Sequence, residues 1–443
     1  MAQIIPFRGT LYEPAAVGSI SDVVAPPYDI IDVAGQQALH DRHPQNIIRL
    51  ELGIDHPGDD ATNNRYTRAA ETLRSWISGG ALKRDAQPTL YYHTIEYASP
   101  SSDPRAPRKT LRGFLTTTKL EPLDSGQIYP HENTRSAAKT DRLNLLKACK
   151  TNLSPIWLLY SDPQNAILGL LERAVKGQPP RIDFTDDNGC RQQLWAVIDP
   201  GVLEQIVDIM RSKALFIADG HHRYETALNY QGFRREQARD GGVLKPYDGV
   251  LMLLSPLEDP GLTVLPTHRV TTTPMPTYAT IKAQLGEKFE FTEFSFSNDS
   301  KTAVRAQFLE ALRTQGRTTP TFGLALKDER RYVTLSLKPA YRPGANASPR
   351  AKLDVSLLQQ LVVNALCQTQ QQQEAILYTK DDHQALDWAE NGTGTCALLL
   401  NATKVSEVQD VAEAGERMPH KSTYFYPKPL TGLVLHVMED EHA

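Results

Sequence analysis

Two patterns in this sequence predict a mixed α/β or α+β fold. Short runs rich in Val, Leu, Tyr and Phe recur along the chain, and segments with helical periodicity lie between them. A length of 443 residues, 40% of them hydrophobic, is enough to bury the cores of two or three domains. The runs at 89–97, 110–120, 155–161, 193–199, 214–220, 248–255, 393–401 and 431–438 read as strands. Helices are predicted at 63–79, 135–149, 163–176, 202–212, 222–239, 301–314 and 354–368.

Between the first two strands, "YASPSSDPRAPRK" (97–109) reads as a hairpin loop, and "KPAYRPGANASPRAK" (338–352) reads as a loop or linker. The glutamine-rich stretch at 368–374 is short enough to be a polar helix end or loop. We divide the chain into 1–260, which carries the two motifs described next, and 261–443, a C-terminal α/β region able to contribute to the same site.

Composition excludes several classes. A formal net charge of -4 provides no global basic field, so no nucleic-acid partner is expected. No apolar run approaches the ~20 residues of a membrane helix, and the N-terminus lacks the apolar core of a signal peptide. Cys149, Cys190, Cys367 and Cys396 form no CxxC pair, which argues against a disulfide framework or a zinc ribbon. Reduced thiols in a cytoplasm are the expectation.

The most informative stretch is "FIADGHHRYETALNY" (216–230). An apolar run ends at Asp219-Gly220, and Tyr224, Ala227 and Leu228 follow at helical spacing. A helix starting near His221 presents unpaired N–H groups and the positive end of its dipole at that turn, which suits an anion. Gly220 permits close backbone approach, Arg223 offers a fork of donors, and His221 and His222 can donate as well. Asp219 can cap the helix, orient a histidine or hold a cation. Adjacent histidines seldom ligate one ion, because zinc pairs are usually three to five residues apart.

"IADGHHRYETA" resembles the phosphate-binding box of the partition-protein/sulfiredoxin superfamily, and its Asp-Gly-His-His-Arg form is most similar to the free-serine kinases there. With "APPYDII" (25–31), "YPHENT" (129–134), "LPTHRV" (265–270) and "MPHKSTYFYPK" (418–428), the chain also resembles a bacterial and archaeal family in or near which pyrophosphate-dependent serine kinases are placed. The resemblance implies a partition-protein/sulfiredoxin-like catalytic core. It further implies transfer of a phosphoryl group from pyrophosphate, ATP or ADP to free L-serine, with Mg2+ as the expected cofactor. In that scheme Gly220, His221, His222 and Arg223 hold phosphate, and Asp219 assists through Mg2+ or a histidine.

Within "YPHENTRSAAKTDRL" (129–143), Glu132 stands on a turn before a helix that Thr134 can cap. The resemblance makes Glu132 the candidate base for the serine hydroxyl. His131 can orient it or touch phosphate, and Arg135 is close enough in sequence to reach a phosphate or the substrate carboxylate. Lys139 and Arg142 read as a solvated helix face.

"GERMPHKSTYFYPK" (415–428) nearly matches a Walker A loop, but His420 replaces the glycine before the lysine, and strand rather than helix follows. Lys421, Ser422, Thr423 and Lys428 can still donate to an anion from an extended loop. Tyr28 and Asp29 read as part of a rigid structural turn. His268 and Arg269 end an apolar segment, where a substrate-binding role and a hydrogen-bonded core role are both open. Two other functional classes are weighed beside the kinase: a nucleotide-dependent regulatory protein of the partition type, and a metal-dependent phosphohydrolase such as a phosphoserine phosphatase.

Overall fold

A computed structural model describes residues 3–100, 106–132, 136–238 and 244–438, and it confirms a mixed α/β architecture. The chain forms two compact units. The first comprises 1–130, 134–263 and 427–443, and the second comprises 131–133 and 264–426.

Among the described residues, the first unit is built on a nine-stranded mixed sheet. Three adjacent strands of it, Leu215–Asp219, Ile156–Tyr160 and Gly249–Pro256, are buried along their whole lengths. Burial on both faces explains why these strands are continuous apolar runs instead of alternating ones. The period-2 rule still assigns one face to one core. Ile156, Leu158 and Tyr160 join Leu215, Ile217, Val250, Met252 and Leu254 in a single cluster. Helices Ala166–Val175 and Pro200–Met210 close over it with Ile167, Leu171, Ile206 and Met210. The second of these starts where Asp199 accepts from Val202 N at 2.9 Å, with Pro200 at its first position. The hairpin predicted across 97–109 is present, with Tyr97 opposite Lys109 in antiparallel register.

The second unit has a six-stranded antiparallel sheet. Its order is Phe289–Ser295, Arg331–Leu337, Thr321–Leu326, Cys396–Leu399, His268–Thr271 and Ile376–Thr379. Phe308 of helix Lys301–Gly316 stacks on Tyr332 at 5.1 Å and anchors its core. The glutamine-rich stretch is a short helix, Gln370–Glu374, capped by Thr369. All four cysteines are buried thiols, and burial pushes Cys149 up to about 12.

Three expectations need correction. The segment 431–438 pairs as a strand only at His436–Val437. Upstream, Gly432 has φ +90°, and Thr431 and Leu435 bridge to two different places, Ala25 and Thr10, so no continuous ladder forms. The helix predicted at 354–368 is interrupted by a π-helical turn, Gln359–Val363. Arg142 is not on a solvated face: it is buried, while Lys139 pairs with Glu225 at 2.8 Å.

Candidate functional site

The Asp-Gly-His-His-Arg turn lies at the edge of the first unit's core. Leu215–Asp219 runs antiparallel to Ile156–Tyr160, and the register slips between Ile217 and Asp219, leaving Ala218 as an extra residue. Such a bulge bends a strand and re-aims its last side chain, here Asp219. Gly220 follows at φ +97°, and a Cβ there would lie 3.0 Å from Nε and Nη2 of Arg223. Glycine is therefore required both for the backbone conformation and for the approach of Arg223. Helix His221–Ala238 then begins, with Tyr224 N donating to Gly220 O at 3.0 Å. The predicted face is inward, since Tyr224 and Ala227 are buried in the main core and Leu228 packs against it.

Asp219 is the charge centre of this turn. Its Oδ2 accepts from Arg223 Nη2 at 2.7 Å, and its Oδ1 accepts from Lys428 Nζ. All three side chains are nearly buried, with exposures of 10–11%. Arg223 Nη1 also donates to Pro155 O at 2.5 Å. Two cations thus share one carboxylate at the positive end of a helix, an arrangement that favours an incoming anion. His221 is buried and His222 half-buried in the same first turn. Because each carboxylate oxygen of Asp219 already faces a cation, a magnesium ion on Asp219 would have to displace Lys428 or Arg223. The donor set of the turn suits phosphate oxygens better than a resident metal. Among the described residues, no group of three or more His, Cys, Asp or Glu is placed to hold a metal ion.

Behind Arg223 lies a second polar group that sequence reasoning missed. Arg142 donates through Nη1 to Glu51 Oε1 at 3.2 Å and through Nη2 to Asp141 Oδ2 at 2.6 Å. Its guanidinium stacks on the Tyr28 ring at 4.3 Å, so the "APPYDII" turn has a packing role. Arg65 reaches the other oxygen of Asp141 at 2.6 Å, and Ser154 Oγ donates to Glu51 at 3.3 Å. The only sequence signal was the placement of Arg142 three and four residues before the buried Leu145 and Leu146.

Glu132 belongs to the second unit. A parallel bridge joins it to Met418, and its Oε1 accepts from Ser422 N at 3.2 Å. Arg417 Nη1 donates to its carbonyl at 3.1 Å. Beside it, His131 is buried, shares a hydrogen bond with Thr423 Oγ1 at 3.0 Å and packs edge-on against Phe425. Of the loop read as a source of anion donors, Ser422 N–H donates to the protein's own Glu132 carboxylate. Ser422 also spends its hydroxyl on Pro419 O, at 2.5 Å. Lys421 takes φ +57°, and strand Tyr424–Tyr426 follows where a Walker loop would need a helix. Arg135 lies outside the described residues.

His268 and Arg269 divide. His268 is fully buried, with Nε2 2.7 Å from Asp382 Oδ1 and Nδ1 accepting from Leu400 N, which is the core role. Arg269 is also buried, but among the described residues it donates to Thr267 O alone, at 2.8 Å, and lies over the Tyr378 ring at 5.8 Å. Among the described residues no carboxylate pairs with it, and burial pushes its guanidinium down to about 10.

The chain belongs to the family described as "Protein of unknown function (DUF1015)", whose pattern matches residues 4–356. No curated protein matches it. Among solved structures it is similar to a free serine kinase in complex with AMP, at 13% identity and a TM-score of 0.32, covering 71% of this chain and 86% of that one. It is also similar to C-terminally truncated SbnI from Staphylococcus aureus, at 11% identity and a TM-score of 0.36, covering 74% and 90%. A conserved hypothetical protein from Pyrococcus furiosus gives 13% and 0.32, covering 73% and 93%. At these TM-scores the likeness carries no weight for fold or activity.

An arginine buried without a counter-ion costs stability, and an apolar side chain of similar length does not carry that cost. Arg269→Met should therefore leave the melting temperature of the ligand-free protein unchanged or raised. A fall of several degrees by differential scanning calorimetry would show instead that the guanidinium is a net stabiliser of the fold.

Proposed function

We propose that this protein is a phosphotransferase that forms O-phospho-L-serine from free L-serine, with pyrophosphate, ATP or ADP as donor. The observation that carries the proposal is the Asp219–Arg223–Lys428 cluster at the start of helix His221–Ala238. Phosphoryl transfer needs little covalent help from a protein; it needs positioning and neutralisation of charge on the phosphate oxygens. A buried turn with two cations, a helix N-terminus and a left-handed glycine supplies both. The choice of serine as acceptor rests on the resemblance of "IADGHHRYETA" and "YPHENT" to the free-serine kinases.

In the proposed reaction the serine hydroxyl oxygen attacks the terminal phosphorus of the donor. A new O–P bond forms and the bond from that phosphorus to the bridging oxygen breaks. The leaving group is phosphate from pyrophosphate, ADP from ATP or AMP from ADP. The hydroxyl proton passes to the Glu132 carboxylate, which Ser422 N–H holds in place. Arg223, Lys428 and the first N–H groups of the helix offset the charge on the donor, with Asp219 aligning both cations. Magnesium, entering with the donor, would add charge neutralisation on the phosphates. The same groups lower the barrier in both directions, so phosphoserine can also be the substrate.

Two variants test the assignment of roles. Glu132→Gln keeps the shape and can still accept from Ser422, but it cannot take the proton. Its kcat should fall by roughly 100- to 10,000-fold, with serine and donor affinities little changed. Near-normal kcat in a folded Glu132→Gln protein would remove Glu132 from the mechanism. Arg223→Ala leaves Lys428 paired with Asp219, so the fold should survive. Loss of charge-assisted bonds worth about 1.5–3 kcal/mol should weaken donor binding by roughly 10- to 150-fold in calorimetric titration. Unchanged donor affinity would remove the turn from the phosphate site.

A further inference from the structure

The first unit contains a cavity that the roles above do not use. It lies between helices Ser136–Cys149 and His221–Ala238 and the start of strand Ile156–Tyr160, and Glu51, Arg142, Ser154, Arg223 and Thr226 are among its lining residues. It leaves about 50 Å³ for the centres of water-sized atoms, several times the roughly 10–15 Å³ that one water requires. That space is enough for several heavy atoms.

Two buried polar atoms on residues lining this cavity have no hydrogen-bond partner among the described residues: Arg223 Nε and Thr226 Oγ1. They stand three residues apart on one helix face. A helical threonine can bond its hydroxyl to the carbonyl four residues back, and Thr226, only 2% exposed, does not. Arg223 uses Nη1 on Pro155 and Nη2 on Asp219, which leaves Nε as the donor without a partner. Leaving two polar groups unsatisfied in the interior is costly, and the cost is recovered when an acceptor oxygen arrives.

On the other side of the charge balance, the cavity is also lined by Glu51, a carboxylate 3% exposed whose Oε1 accepts from Arg142 and Ser154. A simple anion such as phosphate would meet this carboxylate, and a simple cation would meet Arg142 and Arg223. A small zwitterion meets complementary charge at both ends.

We infer that this cavity binds the ammonium and carboxylate groups of a small α-amino acid. Its carboxylate accepts from Arg223 Nε and Thr226 Oγ1, and its ammonium faces Glu51. Naming the ligand as the serine acceptor rests on the kinase reading; the zwitterion site itself does not. Arg223 then has two tasks on two edges, with Nη2 on the Asp219 cluster and Nε on the amino acid.

Thr226→Val tests this, because it keeps the side-chain shape and removes only a hydroxyl that has no partner. The ligand-free melting temperature should stay level or rise. In thermal-shift and calorimetric titrations of the full chain, glycine and L-serine should bind. Ethanolamine, which lacks the carboxylate, and glycolate, which lacks the ammonium, should bind at least tenfold more weakly. Thr226→Val should weaken glycine and L-serine by about 10- to 150-fold, the loss of one hydrogen bond to a charged acceptor. Equal binding of all four compounds, no binding of glycine or L-serine, or full affinity in the variant would overturn the inference. If phosphoserine forms and the KM for serine is unchanged in Thr226→Val, the cavity assignment fails and the kinase reading stands. If glycine and L-serine bind in a Thr226-dependent way and no donor yields phosphoserine, the kinase reading fails and the cavity assignment stands.

Discussion

The contact on which the first unit's site depends is the sharing of the Asp219 carboxylate by Arg223 and Lys428. Three separate pieces of chain meet there: the last residue of a core strand, the first turn of a helix, and the segment from 427 that returns to this unit. Each piece carries a local cost. The strand accepts a bulge at Ala218, Gly220 adopts a left-handed conformation, and three charges leave bulk water. Bringing charges into the interior is expensive; losing one cation still leaves a compensated pair, whereas losing Asp219 would leave two cations uncompensated, a loss that commonly costs about 3–5 kcal/mol. The result is a rigid turn whose excess charge is positive and whose backbone is open to close approach.

What the sequence made legible follows the range of the interactions. Strand Leu215–Asp219 and helix His221–Ala238 could be read directly, because the apolar run, the glycine and the spacing of Tyr224, Ala227 and Leu228 are all local signals. Glu132 could be picked out as a held carboxylate, but what holds it could not, since Ser422 lies 290 residues downstream. Arg142 looked like one of a run of exposed cations; its partner Glu51 lies 91 residues earlier, and only the fold brings them together. Residues 431–438 had the composition of a strand, yet Gly432 turns the backbone and its neighbours pair in two places. "LPTHRV" shows the same limit at a single dipeptide. His268 finds Asp382 and becomes part of the core, while Arg269, one residue on, finds no carboxylate among the described residues.

The two units hold charge in opposite senses. The turn at 219–223 gathers cations around one carboxylate, whereas in the loop at 417–423 the Ser422 N–H donates to the Glu132 carboxylate and Arg417 to the Glu132 backbone carbonyl. One arrangement is suited to receiving phosphate oxygens and the other to receiving a proton. A phosphotransferase acting on an alcohol requires both capacities, which is what the proposed kinase function draws on. The most direct measurement is a 31P NMR assay of the purified full chain with L-serine, Mg2+ and, in separate samples, pyrophosphate, ATP or ADP. The account predicts O-phospho-L-serine with at least one donor, in amounts that scale with enzyme; donor hydrolysis without phosphoserine, or no turnover of any donor, would contradict it.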